Sequence, residues 1–122
     1  MRSLRILLVD DSEFVQALVS AVIEERGHTA VVATGPLEIA NLVAGAPPDV
    51  ALVDVGFPGI DPDRLATILK ADLAPVPYFV FSDRKEADLI ALVEKLGARG
   101  FLPKKAGSSL VDSIEAACAG DG

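Results

Sequence analysis

The chain has no tryptophan, one cysteine, one methionine and one histidine among its 122 residues. A single thiol, Cys118, permits no internal disulfide, and so little cysteine fits a reducing cytosol. Its ordinary role is that of a small core residue. Basic residues are also scarce, 11 Lys and Arg against 18 Asp and Glu, for a formal charge of −7. With no basic stripe to meet a phosphate backbone, direct nucleic-acid binding by this chain is not expected. No apolar run approaches the ~18 residues of a membrane span. Met1 to Leu4 lead straight into an apolar strand, so neither a signal peptide nor a membrane segment is expected, and the location is read as cytoplasmic. Half of the residues are apolar (51%), which excludes a disordered chain. No repeat, low-complexity stretch or linker interrupts residues 1–122, which are read as one domain.

Strands and helices alternate along the chain. Ile6-Leu7-Leu8-Val9, Thr29 to Ala33, Val50-Ala51-Leu52-Val53, Tyr78-Phe79-Val80-Phe81 and Gly100 to Pro103 are short apolar runs bounded by breakers, the mark of buried parallel strands. Between them lie helical patterns. Glu13 to Arg26 carries Phe14, Val15, Leu18, Val19, Val22 and Ile23 on a broad apolar face, with Gly27 as its cap. Gly35-Pro36 opens a second helix with Leu37, Ala40, Val43 and Ala44 inward. Asp61-Pro62 opens a third that runs to about Ala71. Asp83 caps a fourth, with Leu89, Val93 and Leu96 in the core and Ile90 and Leu92 flanking that stripe. Ser108 caps a fifth, carrying Leu110, Val111, Ile114 and Ala117. Five β-α units with right-handed crossovers predict helices on both faces of one sheet. Pro103 cannot donate to a ladder, so the last strand belongs at an edge. This fits the strand order 2-1-3-4-5 of a doubly wound (βα)5 domain.

The working site of such a sheet lies at the carboxyl ends of its strands. Asp10 and Asp11 follow the first strand, Asp54 the third, Ser82 the fourth and Lys104 the fifth. Three carboxylates, a hydroxyl and an ammonium therefore share one edge, as a site for Mg²⁺ and a phosphoryl group would require. Each residue alone also has an ordinary role. Asp10 can cap a helix, Asp54 can be a loop acid, Ser82 a turn hydroxyl, and Lys104 with Lys105 a solvated pair. His28 is read as a surface residue at a helix end.

Leu8-Val9-Asp10-Asp11-Ser12, Leu52-Val53-Asp54-Val55 with Phe57-Pro58-Gly59, Phe81-Ser82, and Gly97 through Lys104 together resemble the response-regulator receiver domain of two-component signalling, in its CheY-like form. The resemblance covers essentially the whole chain and implies a flavodoxin/CheY-like fold. It implies Asp54 as phosphoryl acceptor, a carboxylate nucleophile forming an acyl phosphate. It implies Mg²⁺ held by Asp11, Asp54 and the Gly56 carbonyl, with Asp10 acting through water. Lys104 would supply countercharge and Ser82 a hydroxyl to the phosphoryl group, while Phe101 would be the switch aromatic. The partners implied are a sensor histidine kinase or phosphotransfer protein and a downstream effector, which reads the surface around the fourth helix, fifth strand and fifth helix. The activity implied is self-phosphorylation and self-dephosphorylation, not that of an ordinary enzyme.

Four positions depart from the family pattern. Lys105 replaces the usual proline, and a non-proline cis bond costs ~3 kcal/mol, so a trans bond with a displaced Lys104 tip is an open alternative. Asp83 replaces a very small residue and brings bulk and charge to the site. Pro62 replaces a glycine at a helix start. Ala106 lacks the bulk of receivers that dimerise on DNA. Asp83 and Lys105 favour a second reading, a pseudo-receiver that binds partners without phosphorylation. A flavin-phosphate site would need N–H groups or hydroxyls where Asp10 and Asp11 stand, and a DxD hydrolase would need a second acid at Gly56.

Overall fold

The computed structural model describes residues 2–104 and 108–120. Five parallel strands, β1 (Arg5–Val9), β2 (Thr29–Ala33), β3 (Val50–Val53), β4 (Tyr78–Phe81) and β5 (Phe101–Leu102), form one sheet in the order β2-β1-β3-β4-β5. Helices α1 (Glu13–Glu25), α2 (Ile39–Gly45), α3 (Pro62–Asp72), α4 (Glu86–Leu96) and α5 (Ser108–Gly120) connect and follow them. The doubly wound α/β fold expected from the alternation is the fold observed.

Both faces of the sheet are covered, which is why its strands are apolar without alternation. Leu7, Val9, Ala51, Val53 and Val80 point into one core with Ile39, Leu65, Leu69, Leu89 and Leu96 from α2, α3 and α4. Ile6, Leu8, Val50, Leu52 and Phe81 point into the other with Val19, Ile23, Leu110 and Ile114 from α1 and α5. Half-buried Cys118 packs against this second core.

Local signals set the helix ends. The Asp61 side chain accepts from Arg64 N at 2.8 Å with Pro62 in the first turn. Gly27 (φ +88°) and Gly97 (φ +72°) adopt the left-handed conformation that ends α1 and α4, a conformation glycine reaches without a Cβ penalty.

Four expectations are corrected. The second helix begins with a 3₁₀ turn over Pro36–Glu38, so Ile39, Leu42 and Val43 face the core while Leu37, Ala40 and Ala44 are exposed. A turn of three residues rather than 3.6 rotates every later side chain. The apolar face of α1 is narrower than its sequence suggests. Val19 and Ile23 are buried, but Phe14 is 75% and Leu18 41% exposed. Asp83 does not cap α4; Lys85 occupies that position without a side-chain bond. His28 is not a surface residue but buried. Its Nδ1 accepts from Leu4 N at 2.9 Å, so Nε2 bears the proton and donates to Glu115 at 2.7 Å. The β1 and β2 starts and α5 close around the ring, and that enclosure depends on a contact 87 residues away. The expectations for Lys105, Ala106 and the Ser108 cap fall outside the described residues and side chains.

Candidate functional site

The strand ladders carry the acids to one edge. Asp10 N donates to Ala33 O at 3.0 Å and Asp54 N to Val9 O at 2.9 Å, so both aspartates extend the β2-β1-β3 ladder by one residue. Beyond them the chain turns into α1 and into the loop before α3. Ser12, not Asp10, is the α1 cap, its hydroxyl accepting from Val15 N. Asp10 Oδ1 accepts from Ser12 N at 2.9 Å, and Gln16 Nε2 donates to Asp10 O at 2.7 Å. These bonds fix Asp10 with its second oxygen facing the other acids.

Asp10, Asp11 and Asp54 each offer a carboxylate oxygen within 4.8 Å of the others. Asp10 is completely buried and Asp11 exposed, so the group opens to solvent on one side. Lys104 supplies the countercharge. Its Nζ lies 2.9 Å from Asp10 Oδ2 and 3.2 Å from Asp54 Oδ1. Among the described residues no aligned hydrogen-bond donor reaches buried Asp10 Oδ2, so the ammonium meets it as an ion pair. The Lys104 tip therefore reaches the acids. Burial by itself would lower the pKa of this lysine. The close contacts and charge attraction of the Asp10 and Asp54 carboxylates outweigh it and hold the pKa above the ordinary lysine value. A raised lysine pKa contributes stability that is complete at neutral pH and lost only as alkaline pH passes the folded value.

Asp54 Oδ1 also accepts from Val55 N at 2.8 Å. Among the described residues, Oδ2 has no such partner, which leaves it open to a cation or an electrophile. A cluster of three carboxylates with open oxygens fits a hard divalent cation such as Mg²⁺.

Ser82 stands at the end of β4, buried, with its hydroxyl accepting from Arg84 N at 3.2 Å. Phe101 begins β5 opposite Val80, half-buried against the core formed with α4. Neither bonds directly to the acids. Gly56 lies in the loop after β3, and a Cβ added there would stand 3.8 Å from Arg84 Nη2.

Several contacts were not foreseen from sequence. Phe81 presents its ring to Lys104 Nζ at 5.9 Å, a weak cation–π contact. Arg84 reaches across to the β3–α3 loop. Asp83 accepts from Lys104 N at 2.8 Å. Nothing local in the sequence marks these three, since each contact crosses between strands.

Comparison with known proteins agrees with the fold and with this edge of acids and a lysine. The family model of the response regulator receiver domain matches residues 6–115, and the chain belongs to that family. It is 26% identical to the sensory/regulatory protein RpfC of Xanthomonas campestris over 93% of its length, but spans only 16% of that protein. It is 32% identical to a protein-glutamate methylesterase/protein-glutamine glutaminase of Chromohalobacter salexigens, over 83% of this chain and 29% of that one. It matches sporulation initiation phosphotransferase F of Bacillus subtilis at 26% identity, over 80% of this chain and 79% of the relative. Among solved structures, Vibrio cholerae CheY4 superimposes with a TM-score of 0.79 at 20% identity, covering 93% of this chain and 98% of CheY4. A LuxR-family response regulator from Aurantimonas sp. SI85-9A1 gives 0.80 at 28% identity, covering 98% and 87%. Among the described residues, no helix is long and apolar enough to cross a membrane.

Proposed function

We propose that this chain is a phosphoacceptor receiver, taking a phosphoryl group on Asp54 from the phosphohistidine of a sensor histidine kinase or phosphotransfer protein. The observation that carries the reading is the Lys104 ammonium held between Asp10 and Asp54 inside the acid cluster. In the transfer, an oxygen of Asp54 attacks phosphorus, an O–P bond forms and the donor's N–P bond breaks. Oδ2 is the open oxygen; Oδ1 is engaged by Val55 N and Lys104. Lys104 draws off charge at the phosphoryl oxygens as a fixed cation. Asp11, Asp54 and the Gly56 carbonyl would hold Mg²⁺, with Asp10 through water, and the ion supplies charge neutralisation between carboxylates and phosphate.

Ser82 keeps its own hydroxyl proton, since the Arg84 bond uses only a lone pair. That proton is available to a phosphoryl oxygen on Asp54. A shift of Ser82 toward that oxygen frees space for Phe101 to turn inward and alters the surface of α4, β5 and α5. Exposed Ile90 on α4 belongs to the surface that an effector reads, while Phe14 and Leu18, exposed on the helix that follows Asp10 and Asp11, suit a docking donor protein. Hydrolysis of the acyl phosphate resets the switch, so this catalysis is on the chain itself, in the cytoplasm.

Asp83 favours a second reading, a pseudo-receiver that binds partners without phosphate, because it adds an exposed carboxylate at the site where a dianion must enter. Intact mass after incubation with acetyl phosphate and Mg²⁺ separates the two. The phosphoacceptor reading expects one phosphoryl group, absent in Asp54→Asn. No adduct on the unmodified chain would leave the pseudo-receiver.

A further inference from the structure

We infer that Asp83 is a positioning residue for Lys104, its carboxylate holding the lysine main chain so that the ammonium stays between Asp10 and Asp54. The inference rests on the function proposed above and concerns how that site is held together. Strand β5 is two residues long and lies at the sheet edge. Its last ladder bond to β4 is Ser82 N to Leu102 O, at 3.1 Å. Gly100 and Leu102 face β4, so Pro103 faces away from it and, without an N–H, gives no donor on the open edge either. Lys104 is thus the first residue past the strand with an N–H to give, and Asp83 Oδ1 takes it at 2.8 Å across 21 residues.

A lysine side chain is a flexible four-carbon stem, and the reach of its ammonium is set by where its Cα is fixed. Without the Asp83 bond, the main chain at Lys104 would hang two residues beyond the last ladder contact. A very small side chain at position 83 offers no acceptor to replace it. The same tether joins Lys104 to the residue after Ser82, so the two groups that meet the phosphoryl oxygens are carried on one linked pair of loops. The carboxylate also has a countervailing effect, because its charge opposes entry of an anionic donor. Asn at position 83 separates the two effects, keeping an acceptor oxygen and removing the charge.

The test compares the unmodified chain, Asp83→Asn and Asp83→Ala. The first readout is exchange of the Lys104 amide by NMR, without any phosphodonor. The second is the rate of phosphoryl uptake from acetyl phosphate with Mg²⁺, by intact mass. The tether expects Lys104 N–H to exchange about tenfold faster in Asp83→Ala, the equilibrium worth of one ordinary hydrogen bond, and to stay protected in Asp83→Asn. It also expects Asp83→Ala to take up phosphoryl about fivefold more slowly than Asp83→Asn, as misplacing a reacting group does. Equal amide exchange in all three proteins overturns the inference. So does an Asp83→Ala protein as fast as Asp83→Asn, because charge alone would then govern. If the unmodified chain takes up no phosphoryl group, the proposed function fails separately, and the Lys104 amide still decides the tether.

Discussion

Replacing Lys104 with Met keeps most of the stem and deletes the charge that the acid cluster is built around. Asp10 is fully buried. One oxygen is satisfied by Ser12 N–H, and among the described residues the other meets only the Lys104 ammonium, at 2.9 Å. At an effective dielectric constant of about 20, charges at that distance attract by roughly 5–6 kcal/mol before any desolvation cost is subtracted. Removing one partner of a buried pair costs about 3–5 kcal/mol, because the other charge stays buried. The Lys104 side chain keeps 21% exposure, so water can partly replace it, and a loss of about 2–3 kcal/mol is expected. Mg²⁺ should compensate. A ligand at ten times its dissociation constant stabilises by about 1.4 kcal/mol, and the Lys104→Met protein should gain more than the unmodified chain, since the cation would replace the countercharge that Lys104 supplied. Urea unfolding followed by far-ultraviolet circular dichroism, with EDTA and with millimolar Mg²⁺, measures both effects. Stability within about 0.5 kcal/mol of the unmodified chain in EDTA, together with an equal Mg²⁺ shift, would refute the reasoning.

Two further predictions concern the scaffold. Gly97→Ala puts a Cβ at φ +72°, 3.2 Å from Lys70 Cε and 3.3 Å from the Tyr78 hydroxyl. That hydroxyl donates to Leu96 O at 2.5 Å. A loss of about 1–2 kcal/mol is expected from the left-handed backbone alone, and an unchanged thermal midpoint would count against it. Asp49 is pushed up by burial but pulled further down by Arg5 N–H and Arg2, so its folded pKa lies below the ordinary 3.8. A depressed carboxylate pKa contributes stability present above the unfolded value and lost as pH falls through the folded one. Asp49→Asn should therefore be less stable at neutral pH and show a shallower decline below about pH 4, checked by melting temperature against pH. Parallel curves would show that the Asp49 contacts add nothing.

The strands and their order were legible because a parallel sheet buried on both faces needs apolar runs, and breakers delimit them. The acids were legible for a related reason: each directly follows such a run, so topology alone takes Asp10, Asp11 and Asp54 to one edge. Caps at Asp61, Gly27 and Gly97 followed from backbone chemistry confined to a few residues. The failures share the opposite property. The face of α2 depended on a 3₁₀ turn that apolar spacing does not reveal, and the exposure of Phe14 and Leu18 on how far α1 is covered.

The sequence by itself determined the elements, their order and the edge on which the polar residues gather, because these depend on periodicity and on chemistry within a turn. Only the tertiary structure decided that Lys104 bridges Asp10 and Asp54, that Asp83 spends its carboxylate on the Lys104 amide rather than on a helix cap, and that His28 is sealed between Leu4 and Glu115. Each of these joins residues distant in the chain at 2.7–3.2 Å. Such distances are set by how strands and helices pack, which no local pattern encodes.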